Sequence, residues 1–519
     1  MKQAVHIFRK DLRHHWPEVL VSLALLIAFT WNEPSRWLPE NEFPESRAPG
    51  VLYGLLLVLL ILSWAFLIVR VIQSERLAGD RQYWTTRPLE WKSLLAAKIL
   101  FIAFFVNAPL LIAQVVLLTK AGLRLRSSFV PELFWMHLEL VLFCMLPVAV
   151  LAAVTATIVQ VVLALLAIGA YVAGVATLAS YIPSASFSTG SDALQAVILI
   201  GACLVTLVWQ YAQRESNRSR ALLVIAAGMI LILIVATPYR TLVAYQYPLL
   251  GAGEQQPVHF ALDSVQPSAA SAVPDEKKDV KIRIPMLVSG IAVGSIVSAD
   301  GAMLTIEAPD GRRWNSGWKT AGLRLFPNQQ HAQMHFEVEK DFFNKIKSSN
   351  VKARIAFALT VFHDKDGKQV IATDSEFAVP GFGPCSIERG YSRNSLQCRY
   401  PFRSPTLLVN IASSTTTCPS TKDQPVPQGK NAQYFSDSTD AGPISPVETI
   451  NLYFWNWDGA SDDRLTPSVC AGTPLLFSFP QSAQRARFEL EMSGIHISDY
   501  RVNNSFALSP GLTVKTGAH

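Results

Sequence analysis

Charged side chains of both signs are concentrated in one stretch of the chain, SERLAGDRQYWTTRPLEWKSLLAAKIL, which lies between two strongly apolar segments. Its ionisable residues are Glu75, Arg76, Asp80, Arg81, Arg87, Glu90, Lys92 and Lys98. Carboxylates interleaved with guanidinium and ammonium groups form ion pairs and charge-assisted hydrogen bonds with a complementary surface. This chemistry is typical of a docking contact, so the stretch is the first candidate functional segment.

Residue patterns that support catalysis are absent from the sequence. There is no Gly-x-x-x-x-Gly-Lys-Ser/Thr loop for ATP, no H-E-x-x-H and no G-x-S-x-G. The ten histidines are scattered, and no Cys/His spacing is typical of zinc. We therefore expect a chain that is not an enzyme and has neither a metal site nor a cofactor.

Two polar residues stand out inside apolar stretches, Asn107 and Glu139. An ionisable group within a membrane is costly and usually faces a bundle interior or an aqueous cavity. These two residues are therefore a candidate intramembrane polar site. The alternative for Glu139 is a position at the outer membrane interface, close to Glu132.

Long apolar stretches predict membrane spans, because a spanning helix needs about 20 apolar residues. Six stretches qualify: Val51 to Ile72, Leu94 to Leu118, Leu133 to Ala153, Ile158 to Ile182, Ala193 to Tyr211, and Ala221 to Thr237. A seventh, Pro17 to Trp31, is shorter and resembles the apolar part of a signal peptide, but no small-residue cleavage site follows, so we interpret it as a retained anchor. Residues 1–16 predict an amphipathic interfacial helix or, alternatively, a short basic tail.

The Lys and Arg residues of the short loops give the orientation. With the N-terminus inside, the cytoplasmic side receives Lys2, Arg9, Lys10, Arg13, Arg70, Arg76, Arg81, Arg87, Lys92, Arg214, Arg218 and Arg220. The opposite side receives Arg36, Arg47, Lys120, Arg124 and Arg126, the last three being a local exception. We expect a multi-pass inner-membrane protein with a transmembrane domain at 17–239, a cytoplasmic loop at 74–93 and an extracytoplasmic C-terminal domain.

Beyond the last apolar stretch the pattern changes. Residues 240–279 are rich in Pro, Ser and Ala, which is typical of a linker. In residues 280–519 apolar and polar residues alternate, around Ile282, Phe357 and Leu490, and one short helix is predicted from Glu339 to Lys347. The expected fold is a polytopic α-helical membrane bundle of about seven spans followed by a mainly β domain, built as one large or two small sandwiches.

Cysteine placement is consistent with that division. Cys144 and Cys203 lie in apolar spans and predict small buried hydrophobes. The β region holds Cys385, Cys398, Cys418 and Cys470. An even number fits disulfides in an oxidising compartment, with three possible pairings. We favour Cys385 with Cys398, since the intervening SIERGYSRNSLQ contains Gly390 and can form a closed loop, which leaves Cys418 for Cys470.

The charged stretch also follows a recognisable order of residues. It reads Glu75, Gly79, Thr86, Pro88, Leu94, Leu95 and Lys98. Together with the preceding Arg9-Lys10-Asp11-Leu12 segment, this order resembles the permease subunits of the ABC-2 class of ATP-binding-cassette transporters. The resemblance covers the membrane half alone. Members of that class usually have six spans and no large C-terminal domain.

The resemblance implies that a separate ATPase subunit docks on the cytoplasmic face and receives a short coupling helix from this loop. The charged contacts would come from Glu75, Arg76, Asp80 and Arg81. Gly79 would permit close backbone approach, and Pro88 would set the angle between the coupling helix and the next span. The alternative is that these charges only solvate the loop and enforce the orientation.

The expected function is that of a transmembrane permease subunit that couples ATP hydrolysis by an ABC-type ATPase subunit to substrate export. The resemblance implies a homodimer or a paired permease. Membrane lipid is a further partner, whereas no basic patch indicates nucleic acid. The alternative is a membrane-anchored extracytoplasmic binding or sensory protein whose spans serve only as an anchor.

Overall fold

The computed structural model describes residues 2–37, 47–75, 90–181, 191–250, 256–263, 279–327, 329–364, 367–389, 394–403, 405–411, 433–436, 442–452, 454 and 469–502. Described residues up to 246 are mainly helical, and those from 259 onward form mainly β-strands. The chain is therefore a helical N-terminal region followed by a β-rich region, which confirms the coarse division predicted from sequence.

The helical region contains α1 (Lys2–Asn32), α2 (Arg47–Gln73), α3 (Trp91–Ile102), α4 (Ala108–Lys120), α5 (Phe129–Glu139), α6 (Leu146–Val154), α7 (Ile158–Tyr181), α8 (Ser191–Gln213), α9 (Ser216–Ala236) and α10 (Tyr239–Gln246). Six helical stretches among the described residues are long and apolar enough to cross a membrane: Gly50–Gln73, Trp91–Lys120, Phe129–Val154, Ile158–Ala179, Asp192–Gln213 and Ser216–Ala236. Each coincides with one of the six longer spans predicted from sequence.

Helix α1 differs from the prediction. The expected interfacial helix and the expected first span form one helix, with non-helical backbone at His15 (φ −111°, ψ 18°). Pro17 follows two residues later and disfavours helical geometry in the residues before it. The structure therefore has one kinked helix in place of the two helices that were expected. Helix α1 is not among the six long apolar helices. It packs along α2, with Phe29 on Tyr53 near one end and Lys10 on Glu75 near the other.

Two of the long helical stretches contain a π-helical segment. Ala103–Asn107 lies between α3 and α4, and Leu140–Met145 lies between α5 and α6. A proline occupies the first turn of the helix that follows each segment, Pro109 in α4 and Pro147 in α6. Proline donates no backbone hydrogen bond and its ring clashes with the carbonyl one turn earlier, so we attribute the wider preceding turns to these prolines.

The β region contains one described α-helix, α11 (Lys340–Ile346), close to the predicted position, and a 3-10 helix at Ile497–Tyr500. Its strands are β1 (His259–Leu262), β2 (Asp279–Ser289), β3 (Ser295–Glu307), β4 (Arg313–Asn315), β5 (Lys319–Leu325), β6 (His331–Glu339), β7 (Asn350–His363), β8 (Lys368–Ile371), β9 (Phe377–Ala378), β10 (Pro384–Arg389), β11 (Asn394–Pro401), β12 (Leu407–Ile411), β13 (Gln433–Ser436), β14 (Val447–Leu452), β15 (Pro474–Ser478) and β16 (Gln481–His496). In β2 every second residue is buried, which confirms the alternation predicted around Ile282, and β6 has the same pattern. Strand β7, in contrast, is buried on both faces from Ile355 to Phe362.

The strands form two sandwiches with separate cores. In the first, sheet β1–β2–β6 packs on sheet β16–β7–β3–β4, with β5 paired to β3. In the second, sheet β14–β11–β10–β9 packs on sheet β13–β12–β15–β8. Because β8 to β15 lie between β7 and β16 in the chain, and β7 pairs with β16, the second sandwich is inserted into the first.

The segment 240–279 was predicted to be a linker, but its described residues contain α10 and β1. Helix α10 starts three residues after α9 ends, and its C-terminal side is attached to the first sandwich. Tyr247 Oη donates a hydrogen bond to Asp300 Oδ2 at 2.9 Å, and Arg487 N donates to Pro248 O at 2.8 Å. The apolar Val243 and Tyr247, buried against the sheet, explain why this part of the segment is ordered structure.

The predicted disulfide between Cys385 and Cys398 is confirmed. The two residues face each other on β10 and β11, with a Cα–Cα distance of 4.0 Å. Cys470 is also disulfide-bonded, and its expected partner Cys418 lies outside the described residues. Of the free cysteines, Cys203 is buried as predicted, whereas Cys144 is exposed on the surface of the bundle.

Candidate functional site

The two ends of the helix bundle differ in what they contact. At one end, Glu33 and Gln114 bind Ser445 and Ile444 of the β region, and we call this the β-proximal end. The opposite end holds the end of α2 and the start of α3, and we call it the β-distal end. Polar side chains meet at both ends.

A buried ionic cluster lies at the β-distal end. Lys98 Nζ is 2.7 Å from Asp11 Oδ2 and 3.9 Å from Glu75 Oε1, and it donates a hydrogen bond to Ser74 Oγ at 3.3 Å. Lys10 Nζ approaches Glu75 Oε1 from the other side at 2.9 Å. We call Asp11, Ser74, Glu75 and Lys98 the ionic cluster, with Lys10 at its rim.

The three charged members of the cluster are removed from water. Asp11 is 1% exposed, Glu75 3% and Lys98 2%, whereas the Lys10 side chain is 52% exposed. A charge moved from water into the protein interior costs several kcal/mol unless it is paired and hydrogen-bonded. The two carboxylates and the two ammonium groups balance in formal charge, which is the arrangement that burial requires.

The ionic cluster joins three elements that are distant in sequence. Asp11 lies on α1, Glu75 directly follows α2, and Lys98 lies about two turns into α3. The cluster therefore holds together the described residues on either side of 76–89.

Two further polar links lie at the β-distal end. Gln73 Nε2 donates to Thr155 Oγ1 at 3.1 Å, and the Arg220 guanidinium donates to the Val154 carbonyl at 3.0 and 2.8 Å. They connect the end of α2 with the end of α6, and the end of α6 with the start of α9. The polar side chains thus fix this end of the bundle across five helices, α1, α2, α3, α6 and α9.

Two of the predicted coupling residues, Glu75 and Lys98, come together in this cluster. Arg76, Gly79, Asp80, Arg81 and Pro88 lie outside the described residues. Glu75 was expected to make exposed docking contacts, but it is buried, because Lys98 and Lys10 neutralise it inside the bundle. Sequence reasoning missed the partner Asp11, although Asp11 occupies the buried stripe of α1 between Ile7 and His15, where an apolar residue is normal.

A second polar cluster lies in the long helices. His137 Nδ1 is 3.1 Å from Asn107 Oδ1, and His137 Nε2 is 3.0 Å from Gln114 Oε1. Gln114 Nε2 donates to the Ile444 carbonyl of the β region at 3.1 Å. Asn107 ends one π segment and its Nδ2 lies 3.6 Å from Sδ of Met145, which ends the other. These amide and imidazole groups offer donors and acceptors with no carboxylate among them.

Only part of the predicted intramembrane site is in this cluster. Asn107 belongs to it, whereas Glu139 is half-buried and makes no hydrogen bond or ion pair with any residue in the described ranges. Gln114 and His137 were missed. A signal existed for Gln114, because it follows Asn107 by two helical turns and so lies on the same face of the helix.

The β-proximal end holds a third group of polar residues. Glu33 Oε1 accepts a hydrogen bond from Ser445 Oγ at 2.8 Å and lies 3.2 Å from Arg36 Nη1. Arg36 Nη2 is 3.4 Å from Glu448 Oε2, and its guanidinium stands 4.2 Å from the centre of the Tyr53 ring. We call Glu33, Arg36, Tyr53, Ser445 and Glu448 the interregion contact.

Glu33 is the most constrained member of the interregion contact. It is fully buried, and its Oε2 receives no hydrogen bond from any described residue. Burial raises the pKa of Glu33 to about 6, and the positive charge of Arg36 and the Ser445 hydrogen bond oppose this only in part. The carboxylate form of Glu33 is therefore destabilised at neutral pH.

We expect Glu33→Gln to stabilise the protein at neutral pH and to have little effect at acidic pH. A carboxyl group with a raised folded-state pKa contributes stability that is present below the unfolded pKa and is lost as pH rises through the folded pKa. Here that window runs from 4.5 to about 6. Above it, the buried carboxylate costs about 2 kcal/mol. Thermal unfolding of the purified protein across this window measures the difference.

Glu491→Gln is the control, because the Glu491 side chain lies on β16 and is 71% exposed. It should leave the pH dependence of unfolding unchanged. A difference between wild type and Glu33→Gln that is the same at every pH would contradict the assignment to Glu33.

No protein-family model matches this sequence, and no curated protein matches it. Among solved structures, the chain is similar to a crystal structure of red sea bream transglutaminase, with 7% sequence identity and a TM-score of 0.14. The match covers 45% of this chain and 31% of that chain, so this chain spans about a third of the transglutaminase's length. A likeness at this score assigns neither fold nor function to the chain.

Proposed function

We propose that this protein is the transmembrane permease subunit of an ABC-2-like transporter, which couples ATP hydrolysis by a separate ATPase subunit to substrate export. The observation that carries the proposal is the buried ionic cluster. It attaches the residues on both sides of 76–89 to the first three helices of the bundle. A loop that passes the movement of an ATPase subunit to the helices requires such an attachment. A loop that only solvates charge needs no such attachment.

The position of the β region supports the orientation that the Lys and Arg residues predict. It contacts the β-proximal end, which is the end that carries the fewest Lys and Arg in its short loops. The β-distal end carries residues 76–89 and the basic residues of the other connections. We therefore assign the β-distal end to the cytoplasm and the β region to the extracytoplasmic side, where the disulfides fit.

The packing of α1 supports a seventh crossing. Asp11 lies at the β-distal end and Glu33 at the β-proximal end, which places about 33 Å of helix between them at 1.5 Å per residue. This length matches the hydrocarbon core of a bilayer, which is about 30 Å. Helix α1 is shielded from lipid along one side by α2, which allows it to carry Asp11, His15 and Ser22 across.

The burial of Glu75 changes the assignment of the docking residues. We propose that Glu75 holds the start of the loop inside the bundle, while Arg76, Asp80 and Arg81 make the charged contacts with the ATPase subunit. Lys98 takes the same structural role at the other end of the loop. The transporter would contain a homodimer or a paired permease, in keeping with the pair of ATPase subunits in such systems.

The alternative function is a membrane-anchored binding or sensory protein whose spans serve only as an anchor. Spans that serve only as an anchor do not require a buried ionic cluster or a polar cluster inside the helices. Placing charged or polar side chains in lipid costs free energy. These two features favour the permease.

We expect the double charge reversal Asp80→Lys, Arg81→Glu to weaken association with the ATPase subunit by more than about tenfold. Charge reversal in a docked contact creates like-charge pairs that cost several kcal/mol, whereas on a solvated loop it costs about half a kcal/mol or less. Co-purification of the two subunits and ATPase activity in reconstituted membranes are the measurements.

The matched control is Arg218→Glu, which reverses an exposed charge in the first turn of α9 at the β-distal end. It should leave association unchanged, and both variants should reach the membrane in normal amounts. If the Asp80 and Arg81 variant binds and couples like the wild type, the loop has no part in docking and the anchored binding protein becomes the better hypothesis.

A further inference from the structure

A short segment of the β region reaches into the β-proximal end of the bundle. We call residues 442–447 the plug. Ile444 and Val447 of the plug are buried and belong to the same apolar core as the helices. Next to the plug, the Phe402 ring meets the Phe129 ring of α5 edge-on, with 5.3 Å between the ring centres. The plug therefore closes this end of the bundle with side chains as well as backbone.

The second polar cluster lies directly behind the plug. Gln114 is fully buried and donates across the boundary to the Ile444 carbonyl. Behind Gln114 come His137 and then Asn107, each within hydrogen-bonding distance of the next group. Asn107 and Gln114 are two turns apart, so the polar groups extend about 10 Å from the plug into the helices. Polar groups within a membrane are costly, and they usually face a bundle interior or an aqueous path.

The contacts that hold the plug are of a kind that can break and re-form. They include the hydrogen bond from Ser445 to Glu33 and the pairing of Glu448 with Arg36, and the latter two side chains are partly exposed. The partly exposed Glu448–Arg36 pair exchanges for water at a small net free energy, whereas the buried hydrogen bond to Glu33 contributes more. Both helical stretches that line the cluster contain a π segment, where the backbone hydrogen bonding is irregular and a helix can shift.

We propose that the plug is an outer gate, and that Asn107, Gln114 and His137 line the path by which the substrate leaves when the gate opens. This inference rests on the proposed export function. In the closed state the Gln114 amide donates its hydrogen bond to the Ile444 carbonyl. The substrate and the plug therefore compete for the same donor. Opening requires the Ser445–Glu33 and Glu448–Arg36 contacts to separate.

The chemistry of the path indicates the class of substrate. The three side chains present amide and imidazole groups, which recognise polar, uncharged groups such as hydroxyls and amides by paired hydrogen bonds. No carboxylate lies among them, so a cationic group on this part of the substrate would meet no opposite charge. The gate therefore passes a substrate whose leading group is polar and not cationic.

Cysteine labelling tests the gate in the full chain without knowledge of the substrate. The reporter is His137→Cys in a background with Cys144→Ala and Cys203→Ala, treated in right-side-out vesicles with a membrane-impermeant maleimide. Labelling of residue 137 should be slow. Adding Ser445→Ala and Glu448→Gln should accelerate it about tenfold or more, because the loss of a hydrogen bond to a charged group shifts an equilibrium by at least that factor.

Glu491→Gln in the same reporter background is the matched control and should leave the labelling rate at that of the parent. A separate background that keeps Cys144 and His137 and carries Cys203→Ala gives a second control, since Cys144 is exposed on the bundle surface and would face lipid. Cys144 should stay unlabelled there with or without the plug substitutions. Equal labelling of residue 137 in the parent and in the Ser445, Glu448 variant would show a permanent seal and overturn the gate.

A lock provides an independent measurement. In the reporter background, Arg36→Cys with Glu448→Cys removes the pairing of these two side chains and should accelerate labelling of residue 137. Joining the two new thiols with a short bifunctional reagent before the maleimide is added should slow the labelling again. Labelling that is unaffected by the lock would place the path elsewhere and refute the proposal. Neither measurement needs an ATPase subunit, so the gate and the docking contact are tested independently. A negative docking result would not contradict the gate, and a negative labelling result would not contradict the docking contact.

Discussion

Replacement of Lys98 by Met is expected to lower the free energy of unfolding by about 3–5 kcal/mol, the cost of leaving a buried charge without its partner. Lys98 is 2% exposed, and its ammonium group is the cation that approaches both Asp11 and Glu75. After the substitution two buried carboxylates would share the rim cation Lys10. Thermal unfolding in detergent, followed by size-exclusion chromatography, measures the loss.

Lys10→Ala is the matched control, because Lys10 pairs with the same Glu75 oxygen but is about half exposed. An exposed ion pair contributes about 0–1 kcal/mol, so the control should be close to wild type. If the two lysine variants lost equal stability, the ionic cluster would be solvated and the structural basis for coupling would disappear.

The double variant Asp11→Asn, Lys98→Met separates the ion pair from the packing of the two side chains. It should lose less stability than the sum of the single variants, with a coupling of about 0.5–3 kcal/mol. In a reconstituted transporter it should also reduce the coupling of hydrolysis to transport while the ATPase subunit remains bound. A purely structural role would lower the amount of folded protein without changing the coupling of what remains.

Removal of the Cys385–Cys398 disulfide is expected to destabilise the second sandwich by about 3 kcal/mol, the chain-entropy estimate for a loop of this length. The cysteines are 13 positions apart, and both lie in the core of that sandwich. Cys385→Ala, Cys398→Ala should therefore be cleaved by protease within the β region at lower denaturant concentration than the wild type.

The variant Cys144→Ala, Cys203→Ala removes the two free cysteines and is the control for this experiment. It should leave protease resistance of the β region unchanged. Non-reducing peptide mapping of the native protein should also recover residues 385 and 398 in one linked fragment. Free thiols at both positions would contradict the bond and the oxidising compartment.

The features that could be predicted from the sequence are those fixed by neighbouring residues. The six long spans follow from uninterrupted apolar composition, and β2 follows from alternation that continues from Val280 to Val288. The Cys385–Cys398 pair followed from a short intervening segment. In each case the physical cause lies within about 25 residues of chain, so no knowledge of the tertiary structure was needed.

The ionic cluster could not be predicted because its members meet only in the folded bundle. Asp11 and Lys98 are separated by 87 positions, and Lys10 and Glu75 by 65. The sequence around a Glu at the end of a span does not show whether its side chain faces water or a neighbouring lysine. Glu75 was therefore interpreted as exposed. The polar cluster likewise depends on α5 facing α4, which brings His137 between Asn107 and Gln114.

The insertion of one sandwich between β7 and β16 has a consequence for the order of events during synthesis. Strand β7 is complete about 120 residues before β16 begins, which is roughly 6–24 s at ordinary rates of chain elongation. During that interval one edge of β7 has no partner, and its residues are mostly apolar. An unpaired apolar edge is an aggregation hazard. All strands of the inserted sandwich are synthesised before β16, so this sandwich can fold first, and the final strand then completes the sandwich that was begun before it.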